Sequence, residues 1–587
     1  MQNDWQVGSV ELVAADYIEF SARTSDIGAT LRQGKVQIAR GINDFVYTLV
    51  RWNVGVLFRV SKVRNSAFDR ETEDNSLDIP EKLSFTCEPV GTLKEGKFTP
   101  GIVSFPMVGD RVYGVNSVFL DRIFSGVGDD LVSMGTVSNY PDVHPFINAE
   151  KLLTSHFAIL GNTGSGKSTT LRVLLDRLSK ANDSFKENVR FLIFDVHGDY
   201  EHLKFARQIN VQKMHLPLKE LLSEDWEAAL LPSEKTQKPI LNRALQIART
   251  SAENRRLIYA ILTKMAVSDV THDSFVMLKR SVTKWYTKVF GDSIDDTKVL
   301  HEWFQKYTEV QGEDELLRKI SSVISEDLPQ TIDGILATDT QSCNVTLDDI
   351  DEGFDIVFGE EEVQGNRRVR TNTETMMSRF RNLKSKYGDK NGLLNSDNGK
   401  PLQISDWTSV LHDESKFLVL NLTEFDDDAL RLVSNYLVRA IFQSNYSMAQ
   451  TSRDNMPFYY LYLDEAHRYV KENTNDESTA FEKIAREGRK FNIYLGIISQ
   501  IPSELSRVVL SQTGAFFIHR IQNAMDLEFI QRNVPSATKT MVARLPSLKA
   551  GTVLLSGNAF DIPYELSVEA DEYADVSASL SPISKER

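Results

Sequence analysis

The eight residues Gly161–Ser168, GNTGSGKS, stand between the apolar run FAIL (157–160) and the helical run TTLRVLLDRL (169–178). A strand that breaks into a glycine-rich turn and continues as a helix is what the pattern G-x-x-x-x-G-K-[ST] needs. Glycines let backbone N–H groups approach a phosphate, and the helix that follows presents the positive end of its dipole. In this reading Gly161, Asn162, Thr163, Gly164, Ser165 and Gly166 wrap the phosphates of ATP. Lys167 reaches the β- and γ-phosphates, and the Ser168 hydroxyl binds Mg²⁺. The rest of the chain agrees with an α/β core: FLIFDV, FLVLNL, YYLYLD, IYLGIIS, AFFIHRI and TVLLSG are apolar runs separated by helical stretches. That alternation marks a parallel sheet covered on both faces.

The 587 residues exceed one ordinary core, so several folding units are expected. Short β-branched and aromatic runs (VGSVELV, GKVQIAR, FVYTLVRW, VGVLFRVSKV, GIVSFP, DRVYGV) fill the first part and predict a small antiparallel barrel or sandwich. DRETEDNSLDIPEK, among them, reads as a surface loop. Roughly two hundred residues separate FLIFDV from FLVLNL and carry helical periodicity, which predicts an inserted helical subdomain rather than a loop. The expected division is 1–125 barrel, 126–208 first part of the ATPase core, 209–412 insertion, 413–570 second part of the core, and 571–587 a polar tail.

No apolar run reaches the ~18 residues of a membrane span, and MQNDWQVGSVELV lacks the pattern of a signal peptide, so a cytoplasmic protein without membrane contact is expected. Cys87 and Cys343 lie far apart with no metal-ligand spacing around them, and read as incidental thiols. A net charge of -15 excludes a surface coated in positive charge, so any nucleic-acid contact is local.

A second motif, FYYLYLDEAHRY, ends an apolar strand in Asp464 and Glu465. Asp464 can complete a Mg²⁺ shell at the carboxyl edge of the sheet, and Glu465 can orient and deprotonate an attacking water. The other reading is a charge pair at a helix start. Asp195, closing FLIFDV ahead of Gly198, by itself marks only a strand and a turn. Gln500, at the end of IYLGIISQ, emerges at the same edge and suits either a γ-phosphate contact or a structural amide.

Taken together, GNTGSGKSTT, FDVHGDY, LDEAHRY, AREGRK and IISQIPSEL, in that order, resemble the HerA family within the HerA–FtsK group of ring ATPases. The resemblance covers roughly 1–205 and 415–570, and the insertion by position only. Val196 stands where proline is common in that family, and Asp199 where glutamate is common. The resemblance implies a RecA-like P-loop core and an N-terminal barrel, and it adds Thr169, Asp195 and His197 to the nucleotide-binding set. It also implies a hexameric ring that threads double-stranded DNA, with a partner nuclease or sirtuin-like effector on the barrel, in DNA processing or anti-phage defence.

Arg486 and Arg489, three apart in AREGRK, share a helix face one strand ahead of Gln500. The resemblance implies that in a head-to-tail ring this region meets the neighbour's ATP, where an arginine is worth about 10³ to 10⁵ in rate. The competing reading is a solvated basic face paired with Glu482 and Glu487. The run NRRVRTNTETMMSRFRNLKSKYGDK (366–390) is likewise open to DNA phosphate contact or to a solvated helix face. At the level of function, an ATP-driven translocase or helicase is set against a nucleotide-gated ring that assembles and switches a partner enzyme without processive movement.

Overall fold

The computed structural model describes residues 5–27, 30–32, 35–37, 41–50, 54–65, 82–94, 97–126, 130–181, 188–268, 272–292, 294–306, 309–325, 328–338, 345–388, 393–394, 400–401, 415–470 and 479–570. The expected polar tail at 571–587, most of the loop DRETEDNSLDIPEK, and Cys343 lie outside the described residues.

The first unit is a closed barrel. Strands Ile18–Arg23, Gln6–Val13, Arg111–Gly114, Phe45–Val50, Val54–Asn65 and Lys82–Lys94 pair antiparallel in that order, and the last returns to the first. Closure removes the exposed edges that an open sheet would present. Alternate residues point inward, among them Val7, Phe20, Val46, Phe58 and Val112, and Phe20 stacks on Phe85 at 4.8 Å. Cys87 is buried in the same interior. Of the runs read as barrel strands, GKVQIAR has Lys35–Gln37 among its described residues, and these pair in a separate two-stranded ribbon. GIVSFP is a loop, not a strand: Gly101 takes φ 82°, Pro106 has no N–H to donate, and Val103 is 95% exposed.

The second unit is a ten-stranded sheet. From edge to edge it runs Gly135–Val137, Tyr564–Val568, Thr552–Gly557, Thr513–Ile518, His156–Leu160, Ile493–Ser499, Phe458–Leu463, Val189–Asp195, Phe417–Asn421 and Arg207–Asn210. The strands from Thr513–Ile518 to Arg207–Asn210 are all parallel, and the first three add on antiparallel. The central parallel strands are wholly buried, which is why they read as continuous apolar runs.

Each face of the sheet has its own core. On one face, Phe157, Phe191 and Tyr462 pack with the phosphate-loop helix Lys167–Lys180 and with barrel residues Phe45, Tyr47 and Leu57. On the other, Leu192, Leu418 and Leu461 share one continuous core with helices of the segment between Asn210 and Phe417, through Trp226, Leu241, Phe354 and Phe380. A buried ion pair ties these helices down. Asp225, on Ser223–Leu230, accepts from Arg439 Nε and Nη2 on the long helix Asp427–Thr451, at 3.0 and 2.6 Å.

The barrel is fastened to the core by Arg59, 6% exposed. Its guanidinium pairs with Glu88 at 3.1 Å and donates to the Pro563 carbonyl, while Glu88 also accepts from Thr538 and Thr540. Among the described residues no helix is long and apolar enough to cross a membrane.

Candidate functional site

Every parallel strand of the sheet delivers its carboxyl end to one edge, and the sequence-predicted residues other than Arg486 and Arg489 gather there. The strand His156–Leu160 ends at Gly161. A Cβ at that glycine would lie 2.5 Å from His519 Cβ, so only glycine passes beneath the next strand's exit. Gly166 takes φ 110°, a conformation costly for any other residue, and starts the helix Lys167–Lys180. The loop is held from outside as well: Asn162 N–H donates to the Arg520 carbonyl, and Gly551 N–H to the Ser165 carbonyl.

Lys167, the first helical residue, is 7% exposed, and its Nζ donates to the Asn162 carbonyl at 3.2 Å. Burial lowers its pKa, while Glu465, Asp464 and Asp199 act in the opposite direction. Ser168 Oγ donates to Asp199 Oδ2 at 2.6 Å, and Thr169 Oγ1 accepts from Arg172 at 3.3 Å. Thr163 Oγ1 donates to Gln500 Oε1 at 2.5 Å, and Gln500 Nε2 donates onward to Glu465 Oε1. One side-chain chain therefore links the phosphate loop, the end of Ile493–Ser499 and the end of Phe458–Leu463.

Asp464 is 3% exposed and its Oδ2 has no hydrogen-bond partner. Burial, then the neighbouring Glu465, Asp195 and Asp199 carboxylates, push its pKa well above the usual range. A buried carboxylate among three others is costly without a cation. Among the described residues no group of three or more His, Cys, Asp or Glu side chains is placed to hold a metal, so a cage made of protein alone is absent. Ser168 Oγ and the unpartnered Asp464 Oδ2 instead fit a Mg²⁺ that takes its remaining ligands from phosphate and water.

Glu465 adopts φ 46°, ψ 45°, rare for a residue with a side chain, and this turns its carboxylate back toward the loop. Its Oε2 lies 3.1 Å from His467 Nδ1 without hydrogen-bond geometry, and its Oε1 lies 3.8 Å from His197 Nε2. Glu465 stands at the start of the 3-10 turn Ala466–Arg468 but makes no side-chain cap hydrogen bond there.

The structure assigns the carboxylate of Asp195 to its own turn. It accepts from the N–H groups of His197, Gly198, Asp199 and Tyr200, at 3.3, 2.8, 3.2 and 3.1 Å. It shapes the loop that carries His197 and Asp199 to the site. Arg486 and Arg489 are not brought there. They lie at the opposite edge of the sheet, beside the first residue of His156–Leu160, about 16 Å away at ~3.3 Å per strand residue. Both are exposed, and among the described residues neither forms an ion pair. Pairing of Arg486 with Glu482 is excluded because Glu482 faces inward. Its Oε1 accepts from Ser506 at 2.5 Å and its Oε2 from Thr479 N–H at 3.3 Å, closing a capping box on the helix Ala480–Glu487.

One contributor carried no sequence signal. His519, 0% exposed, bonds Thr170 Oγ1 at 2.9 Å beneath the loop from some 350 positions away. Asp199 stood out in the sequence as a departure within FDVHGDY, without its contact to Ser168. Three of the basic residues in the run 366–390 pair within the chain: Arg370 with Glu362, Lys384 with Asp348 and Asp351, and Lys386 with Asp426, at 2.7 to 2.9 Å.

Comparison with known proteins identifies the family. Residues 132–441, more than half of the chain, match the family model described as the central domain of helicase HerA. The chain is 22% identical over 555 residues to the DNA double-strand break repair helicase HerA of Pyrococcus furiosus, covering 89% of this chain and 84% of that protein. It is 23% identical over 496 residues to the protein of the same description from Sulfurisphaera tokodaii, covering 84% and 78%. Among solved structures, VirB4 of Thermoanaerobacter pseudethanolicus superposes with a TM-score of 0.39 at 15% identity, over 77% of this chain and 99% of that one. The plasmid coupling protein TrwB in complex with ADP and Mg²⁺ does so at 0.39 and 12%, over 78% and 93%. With the phosphate loop and its Glu465 edge in place and more than half its length matched, this chain belongs to the HerA helicase family and is a P-loop ATPase.

Proposed function

We propose that the chain is an ATP-driven translocase of double-stranded DNA that assembles as a hexameric ring in the cytoplasm. In this reading it works with a partner nuclease or other effector, such as a sirtuin-like enzyme, docked on the N-terminal barrel, in DNA processing or anti-phage defence. Lys167 and the backbone of Gly161–Gly166 bind the phosphates, with Thr169 and His197 at their margin. Ser168 and Asp464 hold Mg²⁺, which when bound offsets the charge of the phosphates. Glu465 orients and deprotonates the attacking water, and Gln500 holds Glu465 in register with the phosphate loop.

The observation that carries the ring is the position of Arg486 and Arg489. Two exposed guanidiniums without a carboxylate partner among the described residues stand one strand length from their own site. A head-to-tail neighbour is the arrangement in which such a surface meets a nucleotide, and a heterologous contact that closes makes a ring. The relatives named as double-strand break repair helicases support DNA as the track.

The test is steady-state ATP hydrolysis with and without linear duplex DNA, with Glu465→Gln as the blank. Stimulation of about tenfold or more is expected, a ~1.4 kcal/mol reduction in barrier. Turnover indifferent to duplex DNA but responsive to a barrel-bound effector would replace the motor with a nucleotide-gated scaffold.

A further inference from the structure

His156 is the first residue of the strand that ends in the phosphate loop, and nothing described so far uses its imidazole. The side chain is 0% exposed. Leu495 N–H points at Nδ1 from 2.9 Å, and Nε2 lies 3.1 Å from the Ala485 carbonyl oxygen. A backbone N–H can only donate and a carbonyl can only accept, so the tautomer is determined: Nδ1 carries the lone pair and Nε2 the proton. The ring is therefore a two-ended connector between the strand Ile493–Ser499 and the last turn of Ala480–Glu487.

The acceptor is informative. Carbonyls in the last turn of a helix have no partner within the helix, and that of Ala485 is satisfied by this imidazole. The very next residue is Arg486. Three residues beyond Arg486, inside the 3-10 turn Gly488–Phe491, stands Arg489. A Cβ at Gly488 would lie 2.5 Å from the Ile493 carbonyl, so the backbone is pressed against the strand between the two arginines. The Arg489 guanidinium lies near Gly514 and Ser155, close enough for its charge to act on His156. Glu482, which would otherwise compete for Arg486, is locked by Thr479 and Ser506.

We infer that His156 is a positioning residue for the arginines offered to the neighbouring subunit: its Nε2–H, by holding the Ala485 carbonyl, sets where Arg486 and Arg489 leave the sheet edge. The inference rests on the reading that these arginines act in trans. It adds that the segment presented to one neighbour hangs from the strand that carries the subunit's own phosphate loop.

The test compares His156→Gln, whose amide N–H₂ replaces the Nε2 donor, with His156→Asn, which is too short to reach Ala485 but keeps an acceptor near Leu495 N–H. Both lose the ring packing, so a purely structural role would affect them alike. ATP affinity and thermal midpoint are measured for each, and turnover is measured alone and in rings mixed with Glu465→Gln. The expected result is a fall in kcat of about tenfold or more for His156→Asn, with KM for ATP within about twofold and His156→Gln close to wild type. Mixing is expected to restore part of the His156→Asn loss, because its intact catalytic site then meets an intact arginine segment.

Wild-type kcat in His156→Asn would overturn the inference, as would equal losses in the two variants. A His156→Asn defect that Glu465→Gln subunits leave unrepaired, while they do repair Arg489→Ala, would overturn it too and leave the trans reading standing. If His156→Asn does not fold, loss of kcat in a folded His156→Gln is the overturning result. Arg486→Ala and Arg489→Ala that both hydrolyse ATP at the wild-type rate would remove the trans reading itself, and this inference with it.

Discussion

At the scale of residues, the site is organised by hydrogen bonds whose donors and acceptors come from distant parts of the chain. Gln500 is the middle of one such chain, from Thr163 to Glu465. Replacing it with alanine leaves the carboxylate free to rotate, so Gln500→Ala is expected to lower kcat about ten- to a hundredfold while the Kd for ATP stays within about twofold, as read by single-turnover hydrolysis and nucleotide titration. Buried histidines set a pH dependence of stability. Burial, then the charge of Arg489, brings the pKa of His156 down to about 4, and burial with Lys167 brings that of His519 down to about 3. The unfolded chain takes up these protons near pH ~6.5, whereas the folded chain resists them, so stability is at its full value above ~6.5 and declines as the pH falls toward 4. Each unit of pKa difference is worth ~1.4 kcal/mol. Thermal midpoints measured between pH 7 and 4 should therefore fall more steeply in the wild type than in His156→Gln.

At the scale of elements, the segment between Asn210 and Phe417 is part of the core sheet's packing rather than an appendage. Its helices bury Trp226 and Phe354 in the same cluster as Leu192 and Leu461 of the sheet. The Asp225–Arg439 pair sits inside that contact, with Asp225 wholly buried and Asn435 also donating to it at 2.9 Å. Removing one partner of such a pair strands the other charge, which costs about 3–5 kcal/mol. Asp225→Ala is expected to lower the unfolding free energy read from denaturant titration by that amount, while an apolar replacement of both residues, Asp225→Leu with Arg439→Met, should recover much of it. A double variant no more stable than Asp225→Ala would show that the pair itself, not the stranded charge, holds the helices.

At the scale of the whole molecule, side-chain contacts tie the barrel to the sheet. The barrel is clamped through Arg59 and Glu88 to the turn and helix at Thr538–Thr540. From there the chain runs to Gly551, whose N–H holds the Ser165 carbonyl of the phosphate loop. The catalytic edge and the arginine edge are opposite ends of the same strands, so one subunit cannot bring both to one nucleotide. Mixing Arg489→Ala with Glu465→Gln is therefore expected to yield more ATP turnover than either variant alone, because some interfaces then join an intact site to an intact arginine. Turnover no higher than the sum of the separate variants, at any ratio, would argue against a shared site.

The amino-acid sequence determined what is local and periodic. Gly161–Ser168 between a strand and a helix, the buried parallel strands, and the placement of Asp464, Glu465 and Gln500 at strand ends were all legible, because side-chain period and turn chemistry act over a few residues. The tertiary structure alone decided what depends on distant chain segments meeting. It gave Ser168 the acceptor Asp199, and drew Glu482 inward to Ser506. It also placed His519 under the phosphate loop and His156 beneath the arginine segment. The two histidines meet partners more than three hundred positions away, and no spacing along the chain encodes which buried donor will find which acceptor.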